Sequence, residues 1–550
     1  GLFRMLVLLG GIVLLTSLLS YVYRKMMIKI SLEVIYSIRN QLFGHMQSLP
    51  LSFFDEGSQG ELMSRFTNDV DNLNEALSNS MLNLLSSFLT LGGTVLAMFL
   101  LSPQLFIITL ITLLVMGYLA KKIGSTSKKY FSEQQKKLGS LNGYIEEMVK
   151  WQKVIKVFQY EDRAIERFGE KNDELRNVQY RAQASAMSMM PTMMNLSQIS
   201  YAVISIFGGI FAVRGLYDIG TLVAYLQYSR QFSGPIGNAT ENINSIFSAM
   251  AGAERVFQLL DQQPEVDEGS IQLVRVREAG GELIVCDDIH CLRWAWQDPD
   301  TGALTPLCGR IAFENVSFSY TPGVPILKDI TFYVEPGQKV AFVGSTGAGK
   351  TTIMNLITRF YEIDEGVITY DNIDIRKIRK EDLRQAFGIV LQDVNLFSGT
   401  IEDNIRYGRP KASLEEIQRA SELSNAATFI SHLPDGINTE ISGGGSDLSQ
   451  GERQLLSIAR AAITNPPALI LDEATSSIDT RTERIVQEGM FNLMEGRTVL
   501  VIAHRLSTIY DSDCIFVMEN GEIIERGPHD HLINERGRYY NLYTGRATLT

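Results

Sequence analysis

The sequence predicts an α-helical bundle in a membrane, followed by an α/β domain of the P-loop type with a helical subdomain. Three observations support this prediction. Several apolar runs, each about as long as a bilayer-crossing helix, occupy the first part of the chain. A strand-like segment, a glycine-rich turn and a helix-like segment follow one another at 339–357. The continuous apolar run 468–471 has the composition of a strand buried in a parallel sheet.

Composition limits the classes of protein that fit. The chain has 550 residues, 45% of them hydrophobic, and its mean hydropathy is close to neutral. That average hides long apolar runs in the first third, whereas residues 311–550 have the composition of a soluble domain. With a net charge of −12, nothing in the composition indicates nucleic acid as the main partner. We expect a transmembrane domain at 1–260, a linker with an unusual insert at 261–310, and a P-loop domain at 311–550.

Five apolar runs are candidate membrane spans, because a helix of ~20 residues crosses a bilayer. They are residues 6–23, 84–101, 105–120, 195–213 and, as the weakest, 221–240. Basic residues mark cytoplasmic ends, and they follow the first run at Arg24 and the third at Lys121. Five spans with an internal second domain would place Gly1 outside. Because the chain opens on Gly1 rather than Met, we expect further sequence before it.

Two long connections, residues 24–83 and 121–194, then lie inside the cell, and residues 102–104 and 214–220 are external turns. The second connection has apolar residues at helical spacing, which predicts two antiparallel helices, each ~50 Å long. Arg230 in the fifth run admits two interpretations. It faces a water-filled cavity between helices, where a substrate could pass, or it lies near the inner membrane surface and extends its charge to water.

The insert at 276–310 is not typical of either domain. Alternating residues, a Trp-Ala-Trp run at 294–296 and the turn residues 298–302 predict a β-hairpin. Cys286, His290, Cys291 and Cys308 could bind zinc, although their spacing matches no common zinc module. Four cysteines in so long a chain predict no disulfide framework, so free cytosolic thiols are the favoured interpretation.

The glycine-rich turn has the residues of a phosphate-binding loop. It consists of Gly344, Ser345, Thr346, Gly347, Ala348, Gly349, Lys350, Thr351 and Thr352. The glycines let backbone N–H groups turn toward phosphate oxygens, and the N-terminus of the following helix adds a partial positive charge. Lys350 supplies a full charge for the outer phosphates, and the Thr351 hydroxyl is placed to hold Mg²⁺.

Further nucleotide-binding candidates lie on both sides of this loop. The buried run 468–471 ends in Asp472 and Glu473. A carboxylate at that strand end can hold Mg²⁺ beside Thr351, and its neighbour can orient or deprotonate an attacking water. Tyr320 lies upstream of the loop, where an aromatic ring could stack on adenine.

A short segment makes the assignment specific. The segment 448–452 resembles the Leu-Ser-Gly-Gly-Gln signature of ATP-binding cassette proteins; its residues are Leu448, Ser449, Gln450, Gly451 and Glu452. In that family the signature lies shortly before the acidic motif, which here is Asp472 and Glu473. Other motifs of that family follow in order: Tyr320 matches its adenine-stacking loop, Gln392 its Q-loop, residues 476–479 its D-loop, and His504 its switch histidine. With the membrane part in front of the cassette, the chain resembles a half-transporter of the exporter type. Half-transporters of that family have six spans with both ends inside, so the resemblance implies one further span before Gly1.

This resemblance implies a function and a set of roles. ATP and Mg²⁺ are the expected cofactors. Glu473, His504 and Gln392 would act in hydrolysis, and Thr351, Gln392 and Asp472 would hold the metal. The loop 344–352, Tyr320, the signature 448–452 and Asp479 would bind ATP. Two cassettes would close on ATP, each nucleotide lying between one chain's loop and the other's signature. Regions near 52–62 and 144–159 are candidates for tips that dock on cassettes.

The leading function is therefore ATP-driven export of amphipathic, lipidic or drug-like compounds from the cytoplasm. The alternative is a nucleotide-gated channel or regulatory subunit that binds ATP with little pumping; Glu473 and His504 favour hydrolysis. Either protein would be multi-pass in the cell membrane with its cassette in the cytoplasm. The expected partners are a second half-transporter, the lipid bilayer and a small amphipathic substrate, without nucleic acid.

The signature departs from the family pattern at two positions. Gln450 replaces a glycine and Glu452 replaces a glutamine. The first adds a side chain where backbone approaches phosphate, and the second adds a negative charge nearby. Because the other motifs are intact, we expect a heterodimer in which a partner chain supplies the stronger signature. A working homodimer that tolerates both changes is the alternative.

Overall fold

The computed structural model describes residues 2–231, 233–286, 291, 293–392, 394–445, 447–472, 480–502 and 509–544, without the side chains of 2, 120, 190, 233–241 and 480. The chain forms two compact units. The first comprises residues 1–47 and 59–262, and its described secondary structure is helical, with short connections between the helices. The second comprises residues 48–58 and 263–550 and contains the strands.

Long helices build the first unit. They are α1 (Leu2–Gln47), α3 (Gln59–Ser64), α4 (Val70–Glu75), α5 (Met81–Leu101), α6 (Pro103–Lys150), α7 (Gln152–Val157), α8 (Glu161–Val213), α9 (Ile219–Gln231) and α10 (Ser233–Leu260), while α2 (Leu51–Glu56) belongs to the second unit. Two π-helical turns, Arg65–Asp69 and Ala76–Ser80, join α3, α4 and α5. Ser102 caps α6 by accepting a hydrogen bond from the Leu105 N–H, with Pro103 in the first turn.

Four of the described helices are long and apolar enough to cross a membrane: Phe3–Gln47, Gln59–Leu101, Pro103–Lys150 and Glu161–Val213. The first four predicted runs lie on these helices. The fifth run, 221–240, lies on α9 and α10 and crosses Phe232, which is outside the described residues. It is not among the four, so its crossing of the membrane stays a prediction.

The two predicted internal helices are present as extensions of α6 and α8. These helices have 48 and 53 residues and pack against each other. Lys137 forms an ion pair with Glu174, and the Tyr144 hydroxyl donates a hydrogen bond to the Ala164 carbonyl. The short α7 closes the far end. An antiparallel pair with a turn at its tip is therefore confirmed.

The second unit is built on a six-stranded sheet in the order β10-β13-β14-β7-β15-β16. Its strands are β7 (Lys339–Gly344), β10 (Phe387–Val390), β13 (Ala468–Asp472), β14 (Thr498–Ile502), β15 (Cys514–Glu519) and β16 (Glu522–Gly527). All neighbours are parallel except β15 and β16. Strands as apolar as β13 are buried on both faces, which agrees with the continuous run in the sequence.

Alternation along β7 divides the core of this unit in two. Val340 and Phe342 pack toward an antiparallel sheet of β5 (Ile311–Phe318), β6 (Leu327–Val334), β8 (Glu365–Tyr370) and β9 (Ile373–Asp374). Ala341 and Val343 pack on the other side, toward the helical subdomain. That subdomain comprises α13 (Ile401–Arg406), α14 (Leu414–Leu423), α15 (Ala426–Ile430) and α16 (Gln450–Thr464).

The remaining elements are shorter or lie at the edges. They are β11 (Gly399–Thr400), β12 (Glu440–Ile441), α11 (Lys350–Ile357), α12 (Lys380–Gln385), α17 (Thr480–Met494), α18 (His529–Glu535) and α19 (Arg538–Tyr543). Of these, α11 follows the glycine-rich turn directly and so helps to form the candidate site.

The insert is larger than the predicted hairpin. It forms an antiparallel sheet in the order β2-β1-β3-β4, from β1 (Gln272–Ala279), β2 (Glu282–Val285), β3 (Arg293–Gln297) and β4 (Leu304–Pro306). The predicted turn joins β3 to β4, with hydrogen bonds between Asp298 and both Gly302 and Ala303. One hairpin is thus confirmed and a second, β1 with β2, adds to it.

The expectation of free thiols is wrong for two cysteines, because Cys286 and Cys291 form a disulfide. Val285 at the end of β2 and Arg293 at the start of β3 both pair with Val276 of β1. The two ends of the segment between β2 and β3 therefore lie on either side of the same β1 residue. Cys308 and Cys514 are free. His290 lies outside the described residues, and among those that are described no group of three metal-ligating side chains occurs.

Asp371 fastens the insert to the rest of the second unit. Its carboxylate is 5% exposed and accepts hydrogen bonds from the Trp296 indole N–H and from the backbone N–H groups of Cys308, Gly309 and Arg310. Burial raises the pKa of Asp371 above its usual range, and these four donors oppose that rise. The Trp296 ring also packs edge-on against Tyr370.

We expect Asp371→Ala to destabilise the second unit by about 2–4 kcal/mol, because it leaves buried donors without an acceptor. Thermal unfolding of the full chain in detergent, followed by tryptophan fluorescence, measures the change. Asp300→Ala, in the exposed turn after β3, is the matched control and should leave the midpoint unchanged. An equal midpoint for both variants would contradict the anchoring role.

Candidate nucleotide-binding site

The carboxyl ends of four parallel strands meet at one edge of the central sheet. Asp472 ends β13 and pairs in register with Ile502 at the end of β14, which in turn pairs with Phe342 of β7. Gln392 follows β10, the neighbour of β13. Parallel strands with loops at this edge form the usual binding crevice of open α/β sheets. The topology therefore brings three of the sequence motifs to this edge: the glycine-rich turn after β7, Asp472 and Gln392.

The glycine-rich turn lies between β7 and α11 as the sequence predicts. Gly347 and Gly349 have φ values of 82° and 99°, a region that side chains rarely adopt. A Cβ atom on Gly349 would also lie 2.5 Å from Leu327. Both positions thus require glycine, and the turn leads backbone N–H groups toward the start of α11, where an anion binds most favourably.

Lys350 is the buried cation of this turn. It is 6% exposed, and its Nζ donates hydrogen bonds to the carbonyl oxygens of Gly344 (2.7 Å) and Ser345 (3.0 Å). Burial lowers the pKa of Lys350, and the charge of Asp472 opposes that shift. The ammonium group is therefore held above the turn by main-chain oxygens, within the electrostatic field of the carboxylate at the end of β13.

Side chains with oxygen atoms suited to magnesium lie on the elements at this edge of the sheet. Thr351 is exposed in the first turn of α11, Asp472 is 7% exposed at the end of β13, and Gln392 is exposed beyond β10. Hydroxyl, carboxylate and amide oxygens are hard ligands of the kind Mg²⁺ takes together with phosphate oxygens. The residues present therefore fit a magnesium–nucleotide complex.

Three predicted site residues lie outside the described residues: Glu473, Asp479 and His504. Glu473 follows the last residue of β13 directly, and His504 comes two residues after the end of β14. The roles assigned to them stay predictions.

Tyr320 belongs to an aromatic cluster beside the turn. Its ring is 42% exposed and packs edge-on against Phe318 and Tyr361, with centroids 4.8 Å away in each case. Its hydroxyl donates a hydrogen bond to the Thr352 hydroxyl and accepts one from the Asn355 side-chain amide, both on α11. The exposed part of the ring leaves a surface on which a base could stack.

The signature segment caps α16. The Ser449 hydroxyl accepts a hydrogen bond from the Glu452 N–H, while the Glu452 carboxylate accepts from the Ser449 N–H (2.7 Å) and hydroxyl (2.8 Å). Gly451 is buried and Gln450 is partly exposed. No hydrogen bond joins residues 448–452 to the turn 344–352 among the described residues.

One contact of the second unit was not predicted by the sequence. The Tyr361 hydroxyl donates a hydrogen bond to Asp55, in the short α2. The neighbourhood of α2 had been predicted as a docking tip, but nothing in the sequence marks Tyr361 as its partner. Tyr361 is one of 21 tyrosines in the chain, and no local sequence pattern distinguishes it from the others.

Comparison with known proteins agrees with this geometry. Residues 2–236 match the family described as the ABC transporter transmembrane region, and residues 327–476 match the ABC transporter family. The chain is 44% identical over 543 residues to the uncharacterized ABC transporter ATP-binding protein YfiC of Bacillus subtilis, covering 99% of this chain and 85% of that protein. It is 39% identical over 505 residues to a fatty acid ABC transporter ATP-binding/permease protein of Mycobacterium bovis, covering 92% and 75%.

A solved structure extends the likeness to the whole architecture. It is a bacterial Atm1-family ABC exporter with ATP bound, with a TM-score of 0.69, 27% identity, and coverage of 94% of this chain and 86% of that one. Both the fold and the sequence thus match across the membrane and nucleotide-binding parts. The chain therefore belongs to the ABC transporters, as a membrane-embedded half-transporter of the exporter type with a cytoplasmic ATP-binding domain.

Proposed function

We propose that this chain hydrolyses ATP to move an amphipathic, lipid-like compound out of the cytoplasm by alternating access. One observation most directly supports coupling between the ATP-binding unit and the membrane helices: α2 belongs to the ATP-binding unit. Along the chain α2 lies between two membrane-unit helices, yet residues 48–58 belong to the nucleotide-binding unit, where Asp55 bonds to Tyr361. A movement of that unit would therefore act on both flanking helices through a continuous backbone.

The nucleotide site would work through the residues gathered at the sheet edge. Lys350 and the N–H groups of the glycine-rich turn bind the phosphates, and Tyr320 stacks on the base. Thr351, Gln392 and Asp472 would hold Mg²⁺, which neutralises charge on the phosphates when bound. Glu473 would orient the attacking water and accept its proton, with His504 beside the γ-phosphate.

The tip at 144–159 supports a dimer in which each membrane unit docks on a cassette of its partner. Val157 and Phe158, at the end of α7, are 76% and 75% exposed. Large apolar side chains adjacent at a tip are typical of interaction sites. The lipid-like substrate is supported by the fatty acid transporter among the relatives and by the long apolar helices.

Reconstitution into lipid nanodiscs tests the proposed transport function. ATP hydrolysis would be measured with a panel of fatty acids, lysophospholipids, drug-like amphipaths and peptides. We expect stimulation by at least one amphipathic class. Equal hydrolysis with every compound, together with no movement of labelled amphipaths into vesicles, would favour a channel or regulatory subunit instead.

We further propose a heterodimer, on the basis of the signature. The family pattern offers a serine hydroxyl to the γ-phosphate of the partner's nucleotide, whereas here the Ser449 hydroxyl is donated to the Glu452 carboxylate 2.8 Å away. That carboxylate also places a negative charge where phosphate would approach. A second chain with an unmodified signature would face this chain's Glu473, giving one hydrolytic site and one that mainly holds ATP.

Purified alone, this chain is expected to show little substrate-stimulated ATP hydrolysis, because both sites of a homodimer would contain the weakened signature. Adding a second half-transporter encoded in the same genome should restore it. As a matched variant, Glu452→Gln with Gln450→Gly should raise hydrolysis by the chain alone. A stable homodimer with full stimulated activity would refute the heterodimer.

A further inference from the structure

Arg230 lies deep in the membrane unit. Helix α9 begins at Ile219, next to the external turn, so at 1.5 Å per residue Arg230 is about 17 Å along it. The apolar layer of a bilayer is ~30 Å thick, which places this side chain near its middle. The interpretation of Arg230 as a residue at the inner membrane surface is therefore disfavoured.

A hydrogen bond supports this depth independently. The Tyr225 hydroxyl on α9 lies 2.8 Å from the Thr109 hydroxyl on α6, and both residues are buried. Each is about 9 Å along its helix from the external turn that precedes that helix. Because the two depths agree, α9 enters the membrane unit at the same level as α6, which crosses the membrane by length and composition.

One face of α9 is exposed among the described residues and combines the apolar Val223 with the polar Gln227 and Arg230. Gln227 and Arg230 are three residues apart, both are exposed, and Tyr225 is buried on another side. An arginine facing lipid at this depth would cost at least about 2.5 kcal/mol. Among the described residues no carboxylate forms an ion pair with it. A water-accessible space on this face would avoid that cost.

The guanidinium group is held in a fixed position. Its central carbon lies 4.4 Å from the centroid of the Tyr201 ring on α8, a distance at which a cation is attracted to the aromatic face. Tyr201 is about 18 Å from the outer end of α8, so the two residues lie at the same depth. Stacking on a ring face leaves the N–H groups at the guanidinium edge free to donate in its plane.

We propose that Arg230, stacked on Tyr201, binds the anionic head of the transported compound, a carboxylate or a phosphate, near the middle of the membrane. This inference rests on the proposed export of amphipaths and defines their charge. A planar guanidinium pairs with either oxyanion through two parallel hydrogen bonds, which a neutral or cationic head cannot accept equally well. The apolar tail would lie along the neighbouring helices.

Binding to the full chain, together with its partner half if one is required, in phosphatidylcholine nanodiscs tests the proposal. The probes share one tail and differ in the head: oleate, oleoyl lysophosphatidic acid, oleyl alcohol and oleylamine. We expect at least one anion to bind about tenfold or more tighter than the alcohol. Whether oleate or the phosphate binds tighter distinguishes the two sources of anionic charge.

Variants separate a charge effect from a loss of structure. Arg230→Gln should remove the preference for the anion and leave binding of the alcohol unchanged, whereas Arg230→Lys should retain part of it because a point charge lacks the two-pronged geometry. Arg214→Gln, in the external turn, is the matched control and should keep the full preference. ATP binding by each variant verifies that the second unit is intact.

Two results would overturn the inference in different ways. If the anions and the alcohol bind equally to the wild-type protein, or if Arg230→Gln keeps the anion preference, Arg230 is not the binding group, and export of amphipaths still stands. If none of the four probes binds, and no amphipath stimulates hydrolysis, the proposed export itself fails and the inference falls with it.

Discussion

Glu473→Gln is expected to lower ATP hydrolysis at this chain's own site at least ~100-fold while leaving ATP binding intact. The residue follows Asp472, which is buried at the end of β13 and pairs in register with Ile502 at the end of β14. A carboxylate there can accept a proton from the attacking water, and an amide of the same size cannot. Because Asp472, Lys350 and the turn remain, the phosphates should still bind.

Single-turnover hydrolysis of radiolabelled ATP, beside equilibrium binding of the same nucleotide, separates the two effects. Glu488→Gln on α17 is the matched control, since its side chain is 57% exposed and it makes the same chemical change. Hydrolysis by Glu473→Gln within a few fold of the wild-type rate would remove Glu473 from the catalytic role.

Lys350→Ala should weaken binding and hydrolysis together, with ATP affinity falling about tenfold to a hundredfold. The side chain is almost fully buried, and its Nζ is held by two carbonyl oxygens of the turn, so its charge is placed before the nucleotide arrives. Removing it leaves those carbonyls and the phosphates without a shared donor. Lys350 is the one lysine in the sequence of the turn 344–352, so no other lysine there can replace its charge.

Titration with a fluorescent ATP analogue measures this affinity. Lys350→Met keeps most of the aliphatic stem and should show a similar loss, which would assign the effect to the charge rather than to a cavity. Lys411→Ala, at an exposed position of the same unit, should bind normally. Normal affinity in both Lys350 variants would show that the turn alone suffices.

Local sequence patterns by themselves determined the membrane helices, the glycine-rich turn and the family of this protein. Hydrophobic length located four membrane helices, and helical spacing predicted the long internal pair, because both signals repeat within one segment of chain. The strand, turn and helix around 344–352 were also predictable, since glycine at positive φ and a lysine at the helix start are local requirements. The order of the motifs along the chain also indicates the family, because it does not depend on contacts between distant residues.

The capping pair of the signature segment is a local feature that the sequence itself contains. A serine followed three residues later by a glutamate is a helix-capping pattern, so the sequence alone allowed the Ser449–Glu452 pair to be expected. What it did not provide was the hydroxyl's orientation toward the carboxylate, on which the heterodimer argument depends. Glu473, Asp479 and His504 rest on sequence alone.

Contacts between distant segments were decided by the tertiary structure. The pairing of two strands with one residue of β1 brought Cys286 and Cys291 together, against the general expectation for a cytoplasmic domain. Asp371 meets Trp296 across 75 residues, and Asp55 meets Tyr361 across 306. The sequence left Arg230 with two interpretations, and its depth and its contact with Tyr201 distinguish them. Such contacts depend on how helices and strands pack, and a periodic pattern in one segment contains no information about its partner.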